Sequence, residues 1–279
     1  MMVKHEGDKL RRVIISEPRR EYFLVSDPKA HNIGQLAERA KAIGEHQHLQ
    51  SLLRRSGCRV VNIKELPGHP NSVFTRDTSL VTPRGYITLR MGLRTRRGEE
   101  GWAAAALNSL GVPCAGEIEE PGTVEGGDVI LAGKAAFIGR SKRTNLSGAR
   151  QLSRLLTGMG YEVRTIVLPS SHLHIGGAMS VVDPETILCY QNLFPKAFFE
   201  GFRTIEIPEV DSSSANVISL GDEEIIAEKN NSIAACSLRK AGFTVHLLDL
   251  SEFLKGRGGP SCLVLPVDRF SSARARRKK

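Results

Sequence analysis

The chain has 279 residues, 41% hydrophobic and 25% charged, enough apolar material for one large globular core or two small ones. No apolar stretch approaches the roughly 18 residues of a membrane span, and the charged start MMVKHEGDK lacks the apolar centre of a signal peptide, so a cytoplasmic protein with no membrane partner is expected. Of the net charge of +9, five units lie in the last nine residues, SSARARRKK, leaving +4 for residues 1–270; the segment 271–279 is expected to be a basic disordered tail, and the mildly charged body, with no aromatic-rich RNA-binding motif, argues against a nucleic-acid partner.

In chain order one pattern recurs: a β-hairpin, a helix, then a single strand. Hairpins are read in LRRVIISEPRREYFLVS, TRDTSLVTPRGYITLR, GGDVILAGKAAFIG, GAMSVVDPETILCYQ and ANVISLGDEEIIAE, each a pair of apolar runs around a turn with Pro, Gly or Asp. Helical stretches follow in QLAERAKAIGEHQHLQSLLRRSG, GEEGWAAAALNSLG, TNLSGARQLSRLLTGMG and NNSIAACSLRKAG, with only a short one at FPKAFFEG after the fourth hairpin. In the third, Ala149, Leu152, Leu155, Leu156 and Met159 share a face, Thr144 or Asn145 can cap the start, and Gly158 and Gly160 end it. Strands then read as CRVVNIKEL, YEVRTIVLP, FRTIEIPEV and FTVHLLDL. Five units that cannot each cover their own apolar face should pack around a common centre as one closed α/β domain over residues 1–270. GGPSCLVLPV is expected to be a last strand that joins the first hairpin and closes the ring.

The five cysteines are scattered, with no C-x-x-C pair, so free thiols are expected rather than disulfides or a zinc knuckle. One of them, Cys262, stands before the closing strand. Asp77 in FTRD leads into the second hairpin, Glu125 in EGGD into the third, and His174 in HLHIGG into the fourth. The separations are 48 and 49 residues, and the 88 from His174 to Cys262 make two steps of 44. Equivalent positions in a ring of repeats point to the same end of its axis, so these four groups should converge. A lone cysteine, a lone histidine, or an acid such as Asp77 or Asp128 capping a turn would each be structural if taken singly; the shared placement is what favours a site. His46 and His48 read as exposed and are given no role. The glycines of EGGD and HIGG would let backbone come close to a ligand.

A thiol beside a histidine suggests covalent catalysis, but paired carboxylates would repel the oxyanion of an acyl transfer. The substrate should instead be a small cation. A guanidinium fits, because its planar fork of N–H groups matches carboxylates bidentately.

The motifs NSVFTRD, VEGGDVIL, FIGRSKRTN, HLHIGG and GGPSC, in that order, resemble those of the guanidino-group modifying enzymes of pentein fold: arginine deiminases, dimethylarginine dimethylaminohydrolases and amidinotransferases. The resemblance covers nearly all of residues 8–270 and implies a five-bladed α/β propeller of ββαβ units. It also implies Cys262 as nucleophile, His174 as general acid and base, and Glu125 and Asp77 as guanidinium-binding carboxylates. Arg90 and Arg143 match arginines that bind a substrate α-carboxylate, Asn71 resembles a polar substrate contact, and Phe74 is placed to stack on the guanidinium. The loop at residues 24–34 lies where the family has a mobile lid. Neither a metal nor a cofactor is required.

Two departures bear on the substrate. Arginine deiminases carry an aspartate two residues after the histidine, where this chain has Gly176; dimethylarginine hydrolases typically have acidic residues at the places of Asn71 and Arg76. The first departure favours a methylated guanidine, and the short chain agrees with it, whereas N-x-x-F-T-R-D is closer to the deiminases. The expected activity is hydrolysis of a guanidinium C–N bond of arginine or an Nω-methylated arginine, giving citrulline and an amine. The alternatives are an arginine deiminase or dihydrolase, an amidinotransferase, and a non-catalytic pentein that binds the ribosome as an anti-association factor. A homo-oligomer is compatible with the sequence.

Overall fold

The computed structural model describes residues 2–211 and 213–271; the expected tail lies outside them except for Ser271. Five three-stranded sheets share one plan. A middle strand pairs antiparallel with an inner strand and parallel with an outer one. The first sheet holds β1 (Lys9–Ile15) and β2 (Arg59–Asn62), with α1 (Arg39–Arg55) between them. The second comprises β3 (Ser79–Thr82), β4 (Gly85–Thr88) and β5 (Cys114–Glu117), with α2 (Glu99–Ser109) as its crossover. The third is β6 (Val129–Ala132), β7 (Ala135–Arg140) and β8 (Glu162–Val167), crossed by α3 (Leu146–Gly158). A short helix, α4 (Ile175–Ala178), leads into β9 (Met179–Asp183), β10 (Thr186–Tyr190) and β11 (Arg203–Ile207). The fifth sheet is β12 (Ile218–Gly221), β13 (Glu224–Glu228) and β14 (Thr244–Leu248), crossed by α5 (Ser232–Lys240). After α6 (Ser251–Leu254), β15 (Leu265–Phe270) returns to β1 and completes the first sheet.

The burial of the strands shows how the ring is built. Inner strands β3, β6, β9, β12 and β15 are almost wholly buried, whereas outer strands β2, β5, β8, β11 and β14 expose much of their length. Inner strands of neighbouring sheets touch, as β15 does β3, β6 does β9, and β9 does β12. This is the closed ring expected from the repeats and the pentein fold that the resemblance implies. Among the described residues no helix is long and apolar enough to cross a membrane.

The first hairpin is a correction. LRRVIISEPRREYFLVS contributes only one strand, and the antiparallel partner of β1 is β15, from Lys9 opposite Phe270 to Ile14 opposite Leu265. The chain beyond Pro18 turns instead into a 3-10 segment, Glu21–Phe23, because the Glu65 carboxylate accepts the N–H groups of Arg20, Glu21 and Tyr22 at 2.7, 3.1 and 3.2 Å. Helix α1 also begins later than its apolar pattern suggests. The N–H groups of Gly34 and Gln35 are tied to the Lys255 carbonyl, and Glu38 caps the helix through Ala40 and Lys41. His46, which reads as exposed, is fully buried against Phe253.

The short segment after β10 forms one 3-10 turn, Lys196–Phe199, and aromatic packing does the work of a helix there. Phe194, Phe198, Phe199 and Phe202 cluster around or beside Phe137 with centroids 5.0 to 5.9 Å apart. Helix α3 follows its pattern closely. Asn145 is the cap, accepting from Gly148 N at 2.8 Å, and Ala149, Leu152 and Leu156 are buried.

Candidate active site

Each inner strand is preceded by an irregular turn, and these turns carry the candidate residues. Asp77 ends the 3-10 turn Thr75–Asp77 before β3, and Glu125 precedes the turn Gly126–Asp128 before β6. His174 caps α4 before β9, and Cys262 lies in the turn Pro260–Leu263 before β15. The remaining lead-in, before β12, carries Asn216. Its amide donates to the Gly176 carbonyl at 3.0 Å and lies 3.9 Å from Cys262 Sγ, while its Oδ1 accepts the Ser261 N–H at 2.9 Å. Sequence reasoning passed over Asn216, although the two steps of 44 between His174 and Cys262 left a vacant place near residue 218.

The buried groups form a dense ionic array. His174 Nε2 is 2.9 Å from Glu125 Oε2, and His174 Nδ1 is 3.9 Å from Asp77 Oδ1. Glu125 Oε1 also accepts the N–H groups of Gly92 and Leu93 at 3.1 Å and faces Arg143 Nη1 at 3.2 Å. A resident guanidinium, Arg96, lies behind both acids. It donates to Asp77 Oδ2 at 2.6 Å, to Glu99 Oε2 at 2.7 and 2.9 Å, and to the Phe74 carbonyl at 3.0 Å, and it reaches Glu125 at 4.0 Å. Among the four arginines of LRMGLRTRR, nothing local singles out Arg96 except its i,i+3 relation to Glu99.

These neighbours decide the protonation states. Burial opposes ionisation of Glu125, but His174, Arg96 and Arg143 outweigh it and hold the carboxyl well below the usual range. Burial would likewise lower His174, yet the Asp77, Asp128 and Glu125 carboxylates raise it to about 9, so the imidazolium dominates at neutral pH. For Cys262, burial reinforced by Asp77 pushes the thiol up to about 12, against the opposing pull of Arg76 and Arg96. The resting thiol is therefore neutral, and a bound cation is the natural means of lowering it.

Two cavities meet at these residues, and Leu173, His174, Arg257 and Cys262 line both. The smaller, about 20 Å³, is lined by Asn71, Phe74, Asp77, Glu125 and Arg143 and is covered by His31 and Asn32. It has room for about one water. Asn71 donates to the His31 carbonyl at 3.2 Å and Thr95 to the Ala30 carbonyl at 3.1 Å, which holds residues 30–32 over the cavity. Phe74 forms one wall, and the glycine-rich turn before Cys262 crosses its ring; a Cβ on Gly258 would stand 2.1 Å from it. Arg90 lies elsewhere. Its guanidinium is held by Glu120 at 3.0 Å and the Gly122 carbonyl at 3.2 Å, and it lines neither cavity.

The glycines of EGGD are places of close approach. A Cβ on Gly127 would fall 2.6 Å from His174 Nδ1 and 2.9 Å from Asp77 Oδ1, and one on Gly126 would fall 2.2 Å from the Arg76 carbonyl. Gly127→Ala is expected to displace the imidazole and lower kcat/KM by about 10²-fold in a chain that still folds, since misplacement by about 1 Å costs that much. Steady-state kinetics beside a thermal melt check it, and a rate within twofold of wild type would contradict the geometry.

Asp77, Glu125 and His174 bring ligand atoms within 4.8 Å of one another, so a metal ion has to be considered. The charge balance favours another occupant. Four buried carboxylates, Asp77, Glu99, Glu125 and Asp128, face three cations, Arg96, Arg143 and the His174 imidazolium. Burial raises Glu99 to about 7 and Asp128 to about 6, so the array lies between neutral and −1 near neutral pH; a divalent ion would overshoot that charge and compete with His174 for Glu125.

A closed ring of five ββαβ units with a cysteine, a histidine and two carboxylates at one end defines a pentein of the guanidino-group modifying class. Residues 28–247 match the family described as eukaryotic N,N dimethylarginine dimethylhydrolase. The N(G),N(G)-dimethylarginine dimethylaminohydrolase of Pseudomonas aeruginosa is 30% identical over 255 residues, covering 91% of this chain and 98% of that protein. A solved structure of a cysteine-to-serine mutant of the dimethylarginine dimethylaminohydrolase from Pseudomonas aeruginosa, complexed with citrulline, superposes with a TM-score of 0.82 at 29% identity, covering 94% of this chain and 100% of that one. At 22% identity, the N-terminal domain of ArgZ, an arginine dihydrolase from cyanobacteria, shares the fold with a TM-score of 0.81 over 94% of this chain and 98% of its own. The chain belongs to the dimethylarginine dimethylaminohydrolase family and is a hydrolase of carbon–nitrogen bonds in amidines. That excludes the non-catalytic ribosome-binding alternative.

Proposed function

We propose that the protein hydrolyses an Nω-methylated arginine to citrulline and a methylated amine through a covalent intermediate on Cys262. The observation that carries this reading is the supply of acceptors around the small cavity. Glu125 Oε1 is already filled by two backbone N–H groups and Arg143, whereas each Asp77 oxygen accepts one bond, from Gly127 N or Arg96, and keeps a free lone pair. Gly176, which lines the larger cavity, brings no side-chain acceptor, and a Cβ there would already stand 3.0 Å from the Gly127 carbonyl. An unsubstituted guanidinium brings five N–H donors and would leave some unpaired on that side; a dimethylated nitrogen has none to satisfy. Arg76, the other departure, turns away from the small cavity to Glu6 at 2.6 Å and so does not shape the guanidinium subsite.

Asp77 and Glu125 hold the guanidinium, with Phe74 as a cation–π wall. The Asn71 Oδ1, buried without a partner, accepts from the substrate. Arg143 lines the cavity and is better placed for the substrate carboxylate than Arg90. The bound cation lowers the Cys262 pKa so that the thiol proton is lost to solvent water, and the thiolate attacks the guanidinium carbon to give a tetrahedral adduct. His174, as imidazolium, protonates the departing amine, leaving an S-alkylthiouronium. Neutral His174 then takes a proton from the attacking water, and collapse of the second adduct expels the thiolate and leaves the ureido product.

Arginine, monomethylarginine, asymmetric dimethylarginine and agmatine offered to the purified protein, with ureido product and released amine both identified, test the reading. Dimethylamine and citrulline are expected, with kcat/KM at least about tenfold above that for ammonia release from arginine, the difference one unpaired polar group makes. Ammonia alone would make it an arginine deiminase or dihydrolase, and guanidinoacetate formed in the presence of glycine would make it an amidinotransferase.

A further inference from the structure

The larger cavity, about 380 Å³, runs from Cys262 and His174 along the inner strands to Glu6, Arg76 and Arg269. Its size falls within the range of small-molecule sites. Its inner end holds two guanidinium groups, Arg76 and Arg269, with the acids Glu6 and Asp8 near them. Glu6 is neutralised by Arg76 at 2.6 Å, and Arg76 also donates to the Val129 carbonyl. Arg269, 4% exposed, forms no ion pair among the described residues; its Nη1 donates to the carbonyls of Asp8 and Ser219 at 2.7 and 2.8 Å, and its Nε is buried without a partner. Among the described residues no acceptor takes a bond from Nη2 either, and because Arg269 lines the chamber while Nε is shut away from it, Nη2 is the donor left for a ligand. Burial and the neighbouring Arg76 together lower the Arg269 pKa to about 10, as expected for a guanidinium short of negative charge. A buried unpaired cation is costly, and an anion is its ordinary remedy. The hydroxyls of Ser180 and Ser219 and the amide of Asn216 add polar groups to the lining.

We infer that this chamber is a second binding site, for a small oxyanion of the carboxylate or phosphate class, seated on Nη2 of Arg269 with Arg76 nearby. The two cavities share Leu173, His174, Arg257 and Cys262, but the anion seat is distinct from the guanidinium subsite, because neither Arg76 nor Arg269 lines the small cavity and none of Asn71, Phe74, Asp77 and Glu125 lines the chamber. The inference does not depend on which guanidine is the substrate. Asp8 and Glu6 are the acids near Arg269, and their charge limits occupancy to a weakly charged anion rather than a polyphosphate.

Calorimetric titration of the wild-type protein with formate and with inorganic phosphate, at constant ionic strength, should show saturable binding that Arg269→Gln weakens at least tenfold. A wild-type crystal soaked in bromide should show an anomalous peak in the chamber beside Arg269, a readout that survives if the variant does not fold. Binding to Arg269→Gln equal to wild type, or bromide peaks only on the outer surface, would mean an adventitious ion only and overturn the assignment. If formate binds and phosphate does not, the site is a carboxylate site; the reverse assigns it to phosphate.

Discussion

Cys262→Ser is expected to lower kcat by at least about 10³-fold while ligand binding survives, because removing a catalytic nucleophile typically costs that much or more. The resting thiol is pushed up to about 12 by burial and Asp77, so its reactivity depends on the cation that arrives. A serine hydroxyl starts several pKa units higher still, and the same cation cannot bring it into range. The substitution leaves the Asp77 and Glu125 array untouched, so citrulline should bind within a few-fold of its wild-type affinity. A haloacetamidine, which resembles a guanidinium, should alkylate the wild-type protein at Cys262 and leave Cys262→Ser unmodified. Turnover within tenfold of wild type would eliminate the covalent route, and labelling at another cysteine would remove Cys262 from the site.

Arg96→Met should destabilise the fold by about 3–5 kcal/mol, the cost of breaking a buried ion pair by removing one partner. Asp77 and Glu99 are 3% and 0% exposed, and each has Arg96 as its short-range cation, at 2.6 and 2.7 Å. Methionine fills comparable space, so the loss reports charge and hydrogen bonds rather than a cavity. Whole-domain stability is typically about 5–15 kcal/mol, which makes the effect large on the scale of the protein. Urea unfolding followed by circular dichroism measures it, and Arg96→Lys, which keeps the charge but not the fork, should recover part of it. Unfolding of Arg96→Met at the wild-type midpoint would show that the array does not depend on the resident guanidinium. In whatever folded fraction remains, kcat/KM should fall too, because Asp77 loses the donor that orients its second oxygen.

The ring architecture was legible in the residues because its signals are local. Apolar runs around Pro83–Arg84, Gly133–Lys134 and Pro184–Glu185 mark hairpins with two-residue loops, and the face of Ala149, Leu152 and Leu156 marks α3, whatever the rest of the chain does. The single misread hairpin is the one whose partner strand, β15, lies some 250 residues away, while a long-range cap from Glu65 pulled the local candidate into a 3-10 turn. The short aromatic turn after β10 also depends on Phe137, a residue of another sheet.

The candidate site divides in the same way. Equal spacing along the repeats was enough, by itself, to select Asp77, Glu125, His174 and Cys262, since a ring turns sequence period into a common direction. Their charge states, the position of residues 30–32 over the small cavity, the Arg96 bridge, the Asn216 contact to Cys262 and the remoteness of Arg90 were decided only by the tertiary structure. Those features depend on which side chains are brought within 3 to 4 Å after burial has removed water, and neither distance nor desolvation is written in the order of the residues.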